Sequence, residues 1–304
     1  MIVRAERADG TFGYGEVAPI SEFGTETVEC ARAFLDRLVV SPAVALDPGE
    51  LKDRPACGFA ISCALADPID GTRDYSVCGL LPAGGGAVAA LVEKVRLGYS
   101  VFKWKIGVGE SAEEEQAIFS RLVAELPESG RVRLDGNCGM TSKVLSSWLV
   151  FLAAFRGKVD FLEQPLPVGQ EAVMAELSAA SGFSIALDES LQGVDGHCWL
   201  EPGGWEGPLV IKPLIAGDRN ALIDRLRRVA GQVIVSSVFE TACGVQGALG
   251  VADVLPELER PIGWDTGSAF DDGLTGVLPG PVIRAEDRNN LCMETLWNQL
   301  PHSN

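Results

Sequence analysis

"SVCGLLPAGGGAVAALVEKVRLGYSVFKWKI", residues 76–106, holds two apolar runs separated by an amphipathic stretch. The runs "SVCGLL" (76–81) and "SVFKWKI" (100–106) have the length and composition of strands. Between them, "GAVAALVEKVRLG" carries the apolar spacing of a surface helix. Strand, helix and strand in this length make a parallel crossover unit.

The unit recurs at near-regular spacing. Further runs are "RVRLD" (131–135), "VDFLE" (159–163), "SIALD" (184–188), "PLVIK" (208–212), "QVIVSS" (232–237) and "PIGWD" (261–265). Amphipathic stretches such as "SAEEEQAIFSRLVAEL" (111–126) and "DRNALIDRLRRVAG" (218–231) fill most of the gaps. Eight strands with seven crossovers predict an α/β fold, a (β/α)8-type TIM barrel over residues 76–285. A doubly wound sheet usually has fewer strands and a phosphate-binding glycine loop, and no GxGxxG or P-loop follows the first strand here. The stretch 191–207, "LQGVDGHCWLEPGGWEG", is the least helical connection and is expected to be mostly loop.

Residues 1–75 read as a small α+β module. "IVRAERADGTFGYGEVAP" (2–19) predicts a hairpin turning at Asp9–Gly10, followed by helices at about 25–38 and 55–68. The segment 286–304 is expected to pack back on this module.

The 304 residues carry 42 acidic and 25 basic side chains, a formal charge of −17, which argues against nucleic acid or an anionic membrane as partner. A small anionic substrate stays compatible, because a few buried cations or a metal can reverse the local field. The eight cysteines are scattered without a CxxC pair or zinc-ligand spacing, so they read as reduced thiols. No signal-peptide core and no apolar run of membrane-spanning length is present, and the expected location is cytoplasmic. His197 and His302 are the only histidines, which disfavours chemistry built on a histidine pair.

The strand ends carry the chemistry. Alternation puts Lys103 and Lys105 of "VFKWKIGVG" (101–109) on one face of the second strand. The third strand ends in Asp135 with Asn137 beyond it, the fourth in Glu163, the fifth in Asp188 and Glu189, and the sixth in Lys212. The seventh ends in Ser236 and Ser237, the eighth in Asp265. In a parallel barrel these ends meet at one rim. A lone Asp after a strand is more often a helix cap, and one lysine there can simply snorkel. Carboxylates ending three successive strands repel one another unless a cation sits among them, which predicts an oxygen-ligand divalent site at Asp135, Glu163 and Asp188. Lys105 and Lys212 then face each other across the mouth. Lys103 and the metal charge beside Lys105 are expected to pull its pKa from about 10.4 toward neutrality, so that it serves as a base. The two serines read equally as substrate contacts or as plain turn formers.

The ordered motifs "KWK" (103–105), "DGN" (135–137), "EQP" (163–165), "DES" (188–190), "IKP" (211–213) and "SSVFETACG" (236–244) resemble the enolase superfamily, and within it the muconate-lactonizing subgroup. The resemblance extends to "GYGEVAPISEFGTET" (13–27) and "GWDTG" (263–267) and runs across essentially the whole chain. It implies Mg²⁺, with Mn²⁺ as a substitute, on Asp135, Glu163 and Asp188. Lys105 would be the base that takes a proton α to a carboxylate, and Lys212 the opposing cation, with Lys103 beside them. Asn137, Ser236, Ser237 and Gly263 would border a small carboxylate substrate. The reaction implied is a dehydration that leaves an aromatic ring. N-acylamino acid racemisation or dipeptide epimerisation is the alternative within the subgroup, and a non-catalytic metal-binding barrel lies outside it. Family members usually have a further strand and loop before the segment that starts here at Ile2, so the expectation is either a misplaced start or a capping module trimmed at its start.

Overall fold

The structure, a computed structural model, describes residues 1–40, 48–67, 69, 71–109, 111–192, 195–256, 258–267, 273–274 and 280–301. His302 lies outside the described residues.

The N-terminal hairpin pairs β1 (Ile2–Glu6) with β2 (Phe12–Glu16), antiparallel, with Ile2 opposite Glu16 and Glu6 opposite Phe12. Its turn closes at Gly10, φ 82°, while the Asp9 carboxylate accepts from Thr11 N at 2.9 Å and Thr11 Oγ1 at 2.7 Å. Three helices follow: α1 (Val28–Val40), α2 (Pro48–Lys52) and α3 (Pro55–Leu65). The first starts at Val28 because Thr27 caps it, its Oγ1 accepting from Cys30 N at 3.2 Å. The Glu26 carboxylate accepts from Ala56 N and Cys57 N at the start of α3, where its charge also complements the helix dipole. Helix α3 is buried almost all round, since the hairpin and the barrel cover it from two sides. The hairpin lies so close that a Cβ on Gly15 would stand 1.9 Å from the Ala60 carbonyl oxygen, so the glycine permits the contact.

The barrel elements come in the order β3 (Tyr75–Ser76), β4 (Gly79–Leu81), α4 (Ala87–Arg96), β5 (Val101–Lys105), α5 (Ala112–Glu125), β6 (Arg131–Asp135) and α6 (Ser142–Leu152). There follow β7 (Val159–Glu163), α7 (Glu171–Ser181), β8 (Ile185–Ala186), β9 (Leu209–Ile211), α8 (Arg219–Leu226), β10 (Val233–Val235) and α9 (Ala242–Asp253). Strands β4 to β8 form one parallel sheet in sequence order, and β9 pairs in parallel with β10. Parallel bridges complete the ring: Leu187 to Leu209, Ser236 to Gly263, and Ile262 back to Val77. The eighth strand of the closed barrel is thus the short stretch at Ile262 and Gly263. After it come β11 (Val282–Ile283), antiparallel to β3, then α10 (Ala285–Asn289) and α11 (Met293–Gln299). Trp297 of α11 sits against the hairpin, its ring centroid 6.2 Å from that of Tyr14 and 4.9 Å from the Arg4 guanidinium.

Alternation sorts each strand. On β5 the apolar Phe102 and Trp104 are buried, in the main core between strands and helices. Lys103 and Lys105 point the other way, into the barrel. The inner floor is the small apolar cluster Phe161, Ala186, Val210 and Ile234, one from each of four neighbouring strands. Two residues further along each of those strands come Glu163, Asp188, Lys212 and Ser236, so the same alternation that fills the floor also builds the rim.

Among its described residues, the connection after β8 has no α-helix. It runs through 3-10 turns at Glu189–Leu191 and Asp195–Leu200, in keeping with the loop expected there. Two tryptophans fill the place a helix would cover: Trp205 is buried, donates to the Ile185 carbonyl at 2.8 Å, and meets Trp199 edge-on at 6.1 Å. Among the described residues, no helix is long and apolar enough to cross a membrane.

Candidate active site

Strand register sets the first line of the site. Lys105 pairs with Asp135, Asp135 with Glu163, and Glu163 with Ala186, so neighbouring strands present these side chains at one level. Asp135, Glu163 and Asp188 are 5%, 2% and 1% exposed, an unusual depth for carboxylates. Lys212, from the opposite wall, places its Nζ on the Asp188 carboxylate and 4.5 Å from the ring centroid of Phe23 in the capping module.

Lys103 departs from the expectation. Its Nζ reaches Asp135 Oδ2 at 2.8 Å and Glu163 Oε1 at 2.7 Å, spanning the two carboxylates. Burial disfavours the Lys103 charge, yet Glu163 and Asp135 outweigh burial and hold its pKa above the ordinary lysine range. Its charge is therefore spent on the carboxylates and not turned toward Lys105. Lys105 is exposed at the strand end, and among the described residues its Nζ has no hydrogen-bond or ion-pair partner.

The acidic groups outnumber the cations inserted among them. Burial raises the pKa of Asp135, with repulsion from Glu163 adding to it. Burial also raises Asp188 and Glu189, and Glu189 Oε2 is a buried oxygen with no hydrogen-bond partner. Hard oxygen donors, excess negative charge and one orphaned oxygen fit a divalent cation of the Mg²⁺ type. The carboxylates are spanned by ammonium groups and not gathered round a single point: among the described residues, no three acidic side chains stand close enough to cage an ion.

Backbone strain marks the same rim. Asn137 and Cys138 after β6, Gln164 after β7 and Phe239 after β10 have φ of 41°, 60°, 33° and 65°. Such left-handed conformations cost about 1–3 kcal/mol each outside glycine and persist where surrounding contacts over-determine them. Asn137 N donates to Asp135 Oδ1 at 3.1 Å, and its amide nitrogen lies 3.5 Å from Glu189 Oε1.

Gln164 was not singled out by its sequence neighbourhood beyond the "EQP" motif, yet it ties two strand ends together. Fully buried, its Oε1 accepts from Asp188 N at 3.0 Å and Ser190 N at 3.2 Å, and its Nε2 donates to Ser190 Oγ at 2.8 Å and Leu166 O at 3.1 Å. Gln164→Leu removes these bonds and leaves buried backbone donors unsatisfied, each costing about 1–3 kcal/mol. The expected outcome is a lower melting temperature together with Mn²⁺ affinity weakened by roughly 10–100-fold, read by calorimetric titration.

Ser236 faces inward beside Gly263, where a Cβ would come within 2.6 Å of the serine hydroxyl. Ser237 is turned into the protein: its Oγ lies 2.8 Å from Thr266 Oγ1, donates to Glu240 Oε2 at 3.2 Å and accepts from Phe239 N at 3.0 Å. For Ser237 the geometry is that of a turn organiser. Asp265 likewise points away from the mouth, accepting from Leu80 N at 2.7 Å and Tyr99 Oη at 2.9 Å and pairing with Lys94. It is a strut between the eighth strand and α4.

One further acid joins the capping module to the barrel. Glu16 at the end of β2 accepts from Thr241 N, Thr241 Oγ1 at 2.6 Å and Gly244 N at 2.9 Å, at the start of α9. Gly244 allows this approach, because a Cβ there would meet Glu16 Oε2 at 2.7 Å. Beside it, burial raises Glu240 from 4.5 to about 7, although Val238 N donates to its carboxylate at 2.6 Å. A carboxyl raised in the folded state binds its proton more tightly there than in the unfolded chain. Its stabilising effect is complete below pH 4.5 and is lost as pH rises to about 7, a difference of about 3 kcal/mol. The melting temperature of the metal-free protein should fall over that window, and Glu240→Gln should flatten the fall.

Residues 87–199 match the family described as Enolase C-terminal domain-like. The o-succinylbenzoate synthase of Thermosynechococcus vestitus is 31% identical over 303 residues, covering 98% of this chain and 90% of that protein. The o-succinylbenzoate synthase of Yersinia enterocolitica is 28% identical, covering 98% and 91%. Among solved structures, the o-succinylbenzoate synthase from Thermosynechococcus elongatus BP-1, complexed with Mg in the active site, superposes with a TM-score of 0.73 at 30% identity, over 84% of this chain and 82% of that one. The L-Ala-D/L-Glu epimerase from Bacillus subtilis superposes with a TM-score of 0.78 at 17% identity, over 93% and 87%, a likeness of fold.

Proposed function

This chain belongs to the enolase superfamily, and from that premise we propose that it is an o-succinylbenzoate synthase, a lyase that dehydrates 2-succinyl-6-hydroxy-2,4-cyclohexadiene-1-carboxylate to 2-succinylbenzoate in menaquinone or phylloquinone biosynthesis. One observation carries the assignment of roles. Of three lysines directed to the mouth, Lys103 and Lys212 are engaged by carboxylates and Lys105 is not. An ammonium committed to an ion pair is a poor proton acceptor, so Lys105 is the group available as base.

Asp135, Glu163 and Asp188 would hold Mg²⁺, which supplies a Lewis-acid charge for the substrate carboxylate. Lys105 Nζ takes the proton from the carbon that bears this carboxylate. The same nitrogen, now protonated, returns a proton to the β-hydroxyl as it leaves as water from that face, and the ring becomes aromatic. Lys212, on the opposite wall, presents positive charge to the anion that develops between these steps. Phe23 from the capping module lies over Lys212 and limits water on that side. Ser236 and Gly263 on the far wall would border the succinyl tail, and Asn137 would steady the acidic cluster.

The test is to supply the cyclohexadiene carboxylate with Mg²⁺, and again after EDTA, and to follow aromatic absorbance. Product that appears only with the metal supports the reading. A second reading is favoured by the placement of Lys105 and Lys212 on the second and sixth strands of an eight-strand ring, opposite one another, as racemisation or epimerisation requires. Exchange of the α-proton of an N-succinylamino acid from both faces, without aromatic product from the diene, selects that reading instead.

A further inference from the structure

Away from the mouth, a cavity of about 350 Å³ opens on the seam between the capping module and the outer side of the barrel. It is walled by the hairpin, the end of α3, the start of α8, helix α9 and the start of α11, and none of the candidate catalytic or metal-binding residues lines it.

Two arginines face it. Arg219 is 7% exposed, and among the described residues its guanidinium has one partner, Asn220 Oδ1, at 3.5 Å from Nη1. Nε and Nη2 have no partner and are not sealed from solvent, so the edge that grips a carboxylate side-on is open to the cavity. Arg7 donates only to neutral oxygens, those of Thr11, Phe12 and Ala66. Among the described residues neither guanidinium forms an ion pair, although the Asp9 carboxylate attracts Arg7, in a chain with 42 acidic against 25 basic residues. The buried Arg219 charge is costly without a counter-charge, and a bound anion removes the cost.

The remaining walls describe the ligand. Phe12, Ile69 and Met293 give the cavity an apolar side. Asp67 and Glu294 also line it, and they disfavour a multiply charged anion. Burial pushes the Cys63 thiol up to about 12, so it adds no competing negative charge.

We propose that this cavity is a second binding site, for a small aromatic or similarly apolar monocarboxylate seated with its oxygens on Arg219 and its body against Phe12, Ile69 and Met293. The site is independent of the proposed reaction. Because its walls come from both the capping module and the barrel, occupancy ties the two together and raises the melting temperature by mass action.

The test is calorimetric titration of the EDTA-treated protein with benzoate and, separately, with inorganic phosphate. Wild type should bind one benzoate per chain, with phosphate at least tenfold weaker. Arg219→Gln should weaken benzoate at least tenfold. Gly250→Leu leaves Arg219 in place and fills the cavity: a Cβ there meets nothing nearer than Ile69 at 3.9 Å. This variant should lose benzoate binding while keeping or raising the melting temperature of the unliganded protein. No saturable benzoate binding to wild type, or a preference for phosphate, overturns the proposal. So does binding that both cavity variants leave intact and Lys212→Ala abolishes, because that would place the carboxylate in the catalytic mouth.

Discussion

Lys105→Ala should lower turnover of the cyclohexadiene carboxylate by roughly 10²–10⁴-fold, the range that a positioned acid–base group supplies. It should do so without unfolding the protein. Lys105 is exposed and has no partner among the described residues, so removing its side chain strands no buried charge, and the change in stability should stay within about 0.5 kcal/mol. Lys103→Ala is the instructive contrast. It leaves Asp135 and Glu163, which Lys103 now bridges, facing each other at close range. It should therefore shift the melting temperature as well as the rate. Comparable melting temperatures for wild type and Lys105→Ala with full activity in the variant would remove Lys105 from the chemistry.

The second large effect is expected at Asp188. Asp188→Asn keeps the shape of the side chain, replaces an anionic oxygen donor by a neutral amide and leaves Lys212 without its carboxylate partner. Outer-shell changes around metals typically cost 10–100-fold in affinity, so loss of a ligand should cost at least that, read as a raised Mn²⁺ dissociation constant. Activity should fall in parallel and recover only in part at saturating metal. An unchanged metal affinity would show that the ion, if bound, sits elsewhere.

The barrel was legible because alternation and length are local properties. "VFKWK" and "RVRLD" each declare their faces without reference to the rest of the chain, and the strand-end residues follow from the same period. Lys105, Asp135, Glu163, Asp188 and Lys212 could therefore be picked out in advance as one rim. What stayed hidden depends on distant partners. That Lys103 spans Asp135 and Glu163 is set by side-chain reach across three strands, which spacing along one strand does not encode. Asp265 ends a strand as the others do, yet its neighbours Lys94 and Tyr99 come from the first crossover and turn it outward. Gln164 reads as an ordinary polar residue until Asp188 and Ser190 are brought within its reach. Glu16 and Glu240 meet only when the capping hairpin docks on α9, more than two hundred residues away in sequence.

The central claim is that buried acids on three adjacent strands take one divalent ion beside an unpaired lysine. Anomalous diffraction from crystals soaked in Mn²⁺ addresses it most directly. The account predicts a single strong peak within about 2.5 Å of oxygens of Asp135, Glu163 and Asp188, with Lys105 directed at the space beside the ion. No peak at full Mn²⁺ occupancy of the crystal solvent, or a peak touching none of these carboxylates, contradicts it.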